Sequence, residues 1–414
     1  MKILWFHLMP YTELPDDFRE KNHSVWVDID SKLFDPERAH HMYNDFIDEL
    51  EYAAEAGFDG VCVNEHHSNG YGLMPSPNLI GSALARGTSD AAILILGNSL
   101  GLYNPPLRVA EEMAMVDCIS GGRMIAGFPI GTPMDTCFAY GQNPSMLRQR
   151  YLEAHDLIMR AWQEEDVFSF DGRFNQLRYV NIWPRPVQKP HPPIWIPGGG
   201  ANETLSWCAE NDYVFCALSY FGYDSAKGVL DAYKHAIDEA GKDQNPFRSG
   251  YLQFVGVANS KAEAERIYRE PAEYFYARCL HLYPGFTDAP GYRTESTIRR
   301  QLEAVGPGGG VGALGVMGAP KLKDIVDRGY LVLGDPDEVA ARLREIAKDL
   351  NVGNLMTLLQ FGNMDKDVAN YNTRLFAERV MPQIADLFEE EWEHQWWPTP
   401  MAREARIVPQ AIAV

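Results

Sequence analysis

Ile3 to Leu8, ILWFHL, is an unbroken apolar run, the pattern of a strand covered on both faces rather than one. Seven more runs of this kind follow: FDGVCVN from Phe58, AILILGN from Ala92, RMIAGF from Arg123, PIWIPG from Pro193, YVFCAL from Tyr213, YLQFVGV from Tyr251 and NLMTLLQF from Asn354. Between them the period lengthens. After Asp35-Pro36, which supplies an N-cap and a first-turn proline, Ala39, Met42, Tyr43, Phe46, Leu50 and Ala53 recur at helical spacing up to Gly57. Helical patterns also cover Asn78 to Arg86, Leu107 to Ile119, Leu147 to Trp162, Glu203 to Glu210, Ser225 to Ala240 and Ala262 to Arg269. Pro336 to Leu350 closes the series, with Asp335 and Glu338 spaced as a capping box. Eight strands alternating with helices predict an α/β fold of the (β/α)8 TIM-barrel class. An open doubly wound sheet is the alternative, but no early strand is followed by GxGxxG, and the glycine run that does follow a strand comes at the fifth.

One connection is longer than a barrel needs. Roughly Tyr274 to Leu333, between the seventh strand and the eighth helix, contains Tyr283-Pro284-Gly285 and GPGGGVGALGVMGAP from Gly306 to Pro320, and it reads as a lid over the carboxyl face. A single barrel domain is expected over 1–388, ending in a helix from Val368 to Phe388. The tail that follows, 389–414, carries Trp392, Trp396 and Trp397, costly to leave in water and expected to dock on the barrel or on a second subunit. Lys plus Arg is 37 and Asp plus Glu is 57 in 414 residues, and the formal charge of −20 opposes nucleic acid and anionic membrane partners. Six cysteines form no CxxC pair, and neither a basic leader with a cleavage site nor an apolar stretch of roughly 20 residues is found. A reducing cytoplasmic setting is expected, in which the Asn202-Glu203-Thr204 triplet is not glycosylated.

In a barrel, chemistry collects where strands end. The second strand ends in Asn64-Glu65-His66-His67, a carboxylate and two imidazoles that suit a structural cluster, half a metal site or acid-base work. Metal is disfavoured because HxH and HExxH patterns are absent. The fifth strand ends in Pro197-Gly198-Gly199-Gly200-Ala201-Asn202-Glu203-Thr204, just before a helix. There, small residues let a backbone approach an anion, and the first-turn N–H groups point at it. This is a phosphate cradle, and the absence of Gly-Lys-Ser/Thr excludes the Walker type. His7-Leu8-Met9, Asn98-Ser99-Leu100 and Phe128-Pro129-Ile130-Gly131 end other strands, and as a mouth they suit a flat aromatic ring, or else pack as plain core.

Taken together, these segments resemble the bacterial luciferase-like flavin-dependent monooxygenase family. GFDGVCVNEHH from Gly57, NPPLRVAEEMAMVDCISGGRMIAGFPIG from Asn104, PIWIPGGGANET from Pro193, GDPDEVAARLREI from Gly334 and NTRLFAERVMPQI from Asn372 keep the family's order across nearly the whole chain. The resemblance implies a usually dimeric (β/α)8 barrel that holds FMN at its carboxyl face. It further implies reduced FMN from a separate flavin reductase, O2, and oxygenation of a small organic substrate through a flavin C4a-peroxide that an apolar mouth protects from water. By position His66 matches the family's active-site histidine, Gly199 and Gly200 match the phosphate segment, and Asn98 and Ser99 match the flavin-ring segment, where a non-prolyl cis peptide at Ser99-Leu100 is expected. Luciferase has an arginine where this chain has Ile130, and carboxylate and hydroxyl groups where it has Gly199 and Gly200. The phosphate is therefore expected to rely on backbone N–H groups, Asn202, Thr204 and either Arg148 or Tyr151. Three alternatives stay open: a deazaflavin-dependent oxidoreductase on the same barrel, a non-catalytic flavin-binding protein, and a metal-dependent barrel hydrolase.

Overall fold

The computed structural model describes residues 1–299 and 318–407. Eight parallel strands close into a ring: β1 (Lys2–Phe6), β2 (Gly60–Val63), β3 (Ala92–Leu96), β4 (Met124–Gly127), β7 (Ile194–Pro197), β8 (Val214–Leu218), β9 (Ser249–Val257) and β11 (Asn354–Leu358). The register is continuous around β1, where Trp5 lies opposite Val61 on one side and Thr357 on the other. Strand β8 closes the ring on β9, with Phe215 opposite Ser249. Continuous apolar runs follow from this topology, since each strand faces packed side chains inside the ring and helices outside it. All eight runs predicted from the pattern are these strands.

The longer helices are α1 (Pro36–Glu55), α2 (Pro77–Gly87), α3 (Leu107–Ser120), α4 (Pro144–Gln163), α5 (Asn202–Glu210), α6 (Tyr223–Glu239), α7 (Lys261–Tyr274), α8 (Pro336–Leu350) and α9 (Lys366–Leu375). Asp35 caps α1 through the N–H groups of Glu37 and Arg38, and Asp335 and Glu338 form the predicted box at α8. The last helix is shorter than expected, because after Leu375 it passes into a π-helical turn, Phe376–Val380, and ends in Met381–Ile384.

Two additions interrupt the alternation. A hairpin of β5 (Phe168–Asp171) and β6 (Gln176–Val180) stands between α4 and β7, and its turn is held by Glu153, which accepts from the backbone N–H groups of Arg173, Phe174 and Asn175. Strand β10 (Leu331–Gly334) belongs to the long insertion and pairs with the upper half of β9, Phe254 to Val257, beyond the part of that strand that closes the ring. Most of the glycine-rich run expected as a lid lies outside the described residues.

The tail docks on the amino-terminal end of the barrel. The indole of Trp195 donates to the Trp396 carbonyl at 3.2 Å, that of Trp396 donates to the Asp212 carbonyl at 2.8 Å, and Thr399 N–H reaches Gln188 Oε1 at 3.1 Å. Further along, Met401 N–H bonds to the Gly121 carbonyl and Arg406 pairs with Asp90. Trp396 is buried. No helix among the described residues is long and apolar enough to cross a membrane.

Candidate functional site

His66 sits at the carboxyl end of β2 with its ring edge-on to two stacked aromatics, Trp26 at 4.9 Å and Tyr71 at 5.0 Å between centroids. Its Nδ1 is 2.9 Å from Oδ2 of Asp135. That carboxylate is 2 % exposed and takes three more hydrogen bonds, from Trp26 Nε1, the His67 backbone N–H and Thr132 Oγ1. Burial by itself raises the Asp135 pKa. The interaction with His66 and the surrounding donors outweigh that, and the group ends below the ordinary carboxylate value.

The other two members of the cluster face a different way. Glu65 and His67 pair at 2.7 Å, and the second Glu65 oxygen accepts from the Ser99 N–H at 2.8 Å and the Tyr103 hydroxyl at 3.2 Å. Tyr103 in turn accepts from Asn98 Nδ2. Glu65 thus ties the end of β2 to the end of β3 and fixes the Asn98-Ser99 segment. The side-chain amide oxygens (Oδ1) of Asn98 and of Asn64, at the adjacent strand end, are buried and have no partner among the described residues. A buried acceptor without a donor is costly, so these two atoms suit a ligand whose edge carries N–H groups, as a flavin ring does. The non-prolyl cis peptide is in this segment but not at Ser99-Leu100: it is Leu96-Gly97. There the β3 backbone passes so close to β4 that a Cβ at 97 would lie 1.8 Å from the Gly127 carbonyl oxygen, which requires glycine.

After β7, Gly198-Gly199-Gly200 leads into α5, whose N-cap is Ala201 with no side-chain hydrogen bond to the first turn. Gly200 has φ +80°, and a Cβ there would meet Val229 at 2.7 Å, so conformation and space both demand glycine. Arg148, from the first turns of α4, donates to Thr204 Oγ1 at 3.1 Å. A guanidinium therefore stands beside a helix start that no N-cap side chain covers, although the Thr204 N–H is taken by the Ala201 carbonyl at 2.9 Å, and charge and dipole together favour an anion there. Glu203 in the same turn also faces Arg148 electrostatically and accepts from Thr294 and Ser296 of the insertion. Tyr292 of that segment donates to the Gly131 carbonyl after β4, so the described part of the insertion crosses the carboxyl face. Tyr151 is fully buried and its hydroxyl donates to the Phe128 carbonyl at 2.8 Å, where it supports the end of β4.

Asp135 is the member of the His66 cluster that sequence reading missed. It lies 69 residues from its histidine, in the π-helical turn Met134–Ala139, and such turns are frequent at functional sites. A usable signal was the Thr132-x-x-Asp135 spacing: the Asp135 N–H donates to Thr132 Oγ1 as in one half of a capping box, while the carboxylate accepts from the Thr132 hydroxyl rather than from its backbone N–H. A cavity of about 650 Å3, bordered by His155, His191, Tyr213 and Trp396, opens at the opposite, amino-terminal end, and none of the groups above lines it. Among the described residues no group of three or more His, Cys, Asp or Glu could hold a metal ion.

The sequence profile of luciferase-like monooxygenases matches residues 30–352. The chain belongs to the luciferase-like monooxygenase family. It is 31 % identical over 346 residues to limonene 1,2-monooxygenase of Rhodococcus erythropolis, spanning 81 % of this chain and 80 % of that protein. Identity is 27 % over 247 residues to the oxygenase component of the flavin-dependent trigonelline monooxygenase of Acinetobacter baylyi, or 58 % of this chain and 66 % of that one. With two Sinorhizobium fredii relatives the match spans 49 % and 61 % of their lengths. Among luciferase-like structures, the FMN complex of the oxygenating constituent of 3,6-diketocamphane monooxygenase from Pseudomonas putida superposes with a TM-score of 0.70 at 17 % identity, covering 93 % of this chain and 99 % of that one. An F420-dependent secondary alcohol dehydrogenase superposes with a TM-score of 0.62, also at 17 % identity, with 93 % and 99 % covered. These two likenesses concern the fold.

Proposed function

We propose that this luciferase-like protein is the oxygenase component of a two-component flavin-dependent monooxygenase, which takes reduced FMN from a separate reductase and uses O2 to oxygenate a small organic substrate. The observation that carries this reading is the placing of an Arg148-flanked helix start and a carboxylate-backed His66 on one barrel face. The backbone around Gly199 and Gly200, the first turn at Asn202, Thr204 and Arg148 would hold the phosphate. Asn98, Ser99 and Asn64 would meet the ring edge. Bound reduced flavin supplies the electron pair that activates O2. Around it, the chain contributes a proton-transferring imidazole and walls of Trp26, Tyr71 and Tyr220 that keep bulk water out.

Supplying NADH, FMN, a flavin reductase and O2 with candidate substrates, and following product by mass, tests the assignment. Tighter binding of reduced F420 than of reduced FMN, with turnover in the absence of O2, would move the chain to the deazaflavin branch. Homodimer formation belongs to the same proposal. Leu79 on α2 and Met115 and Ile119 on α3 form an exposed apolar face, and sedimentation at graded concentration reads whether it is paired.

A further inference from the structure

The four donors around Asp135 decide which nitrogen of His66 carries hydrogen. Oδ1 faces the Trp26 indole N–H at 2.9 Å and the His67 backbone N–H at 2.7 Å. Both can only donate, so Oδ1 can only accept. Oδ2 is 2.9 Å from Thr132 Oγ1 and 2.9 Å from His66 Nδ1. The threonine oxygen already accepts the Asp135 N–H at 3.3 Å, which leaves its own hydrogen free to point at the carboxylate. A carboxylate enclosed in this way has no room to be the donor, and the remaining contact requires hydrogen on Nδ1. No group among the described residues hydrogen-bonds Nε2.

We propose that Asp135 is a positioning residue that holds His66 in its Nδ1–H form and so makes Nε2 a proton acceptor in the resting protein. Its catalytic meaning rests on the function proposed above. The first proton then moves from a bound X–H group to Nε2: the X–H bond breaks, an N–H bond forms, the electron pair stays on X, and the imidazolium faces the Asp135 charge. The same proton is available to the oxygenated product afterwards. A purely structural Asp135 would tie the turn at 132–139 to Trp26 and His67 without dictating the imidazole form.

Asp135→Asn separates these roles. The carboxamide oxygen has to stay on the Trp26 and His67 donors, which puts the NH2 group against Nδ1 and forces hydrogen onto Nε2. The experiment is 15N–1H long-range correlation on cofactor-free, 15N-labelled protein at about pH 8, where a free imidazole is neutral, with His66 signals assigned by their loss in His66→Gln. We expect Nδ1–H in the wild type and in Thr132→Val, Nε2–H in Asp135→Asn, and product formation lower by roughly a hundredfold or more in the last, the scale of losing an oriented acid or base. Nε2–H in the wild type, or Nδ1–H surviving in Asp135→Asn, would overturn the proposal. If Asp135→Asn fails to fold, the wild-type and Thr132→Val spectra still decide. Because the spectra need no flavin, a correct imidazole form with no oxygenase activity would count against the function and not against Asp135.

Discussion

Replacing Arg148 by methionine keeps most of the stem and removes the guanidinium beside the start of α5. In the free protein the loss is one hydrogen bond, to Thr204 at 3.1 Å, worth about 0.5–1.5 kcal/mol. With a phosphate in the cradle the loss is a charge-assisted bond of about 1.5–3 kcal/mol, or roughly ten- to 150-fold in Kd. The two effects separate by ligand. Anaerobic titration of reduced FMN should weaken by that factor, whereas reduced riboflavin, which has the ring and no phosphate, should change less than about twofold. Against the unchanged protein, riboflavin should already bind at least about tenfold more weakly than FMN, since a phosphate at a helix N-terminus is worth more than about 1.4 kcal/mol. Equal weakening of both ligands in Arg148→Met would mean that the residue supports the fold or the ring. No weakening of either would remove the anion site from this end of the barrel.

His66→Ala should keep the fold and flavin affinity and slow product formation by roughly a hundredfold or more, measured by product yield under saturating reduced FMN; an unimpaired variant refutes its role. NADH alone should support no turnover and NADH with any FMN reductase should, so rapid NADH oxidation by the purified chain would end the two-component reading. Trp396→Ala should cost about 3–5 kcal/mol, seen as a lower urea midpoint, because it removes a buried indole and that indole's hydrogen bond to the Asp212 carbonyl. Burial pushes His7 and His394 down to about 3. The unfolded chain takes up those protons near pH 6.5, so stability is full above that value and is lost as pH falls towards 3. His394→Gln should flatten that slope by at most about 1.4 kcal/mol per pH unit, read from urea melts between pH 7 and 4.

The barrel was legible because each strand is buried on both sides, and its apolar run is visible without knowing any partner. The same holds for the Asn64 to His67 cluster and the Gly198 to Gly200 turn, whose chemistry is local. Strand β10 was not legible, since LVLG pairs with an overhang of β9 that becomes available only once the ring has closed. Hairpin β5-β6 was readable in principle from Asp171-Gly172 between two short β-rich runs, a turn signal that helical spacing through α4 overshadowed. Asp135 depends on a contact across 69 residues, and local pattern carries no record of distance in space. The position of the cis bond followed the same logic: the close approach to Gly127 that accompanies Gly97 belongs to the neighbouring strand.

The docked tail has a bearing on how this protein could be altered. A strand of five residues spans about 15 Å, so Trp396 and its partners at one end of the barrel lie farther from His66 and Asn98 than the roughly 7–10 Å over which substitutions influence one another. Changes made at the two ends should add. Laboratory evolution towards a new substrate, which erodes stability through the mouth residues, can therefore be balanced by substitutions beneath the tail without retuning the chemistry.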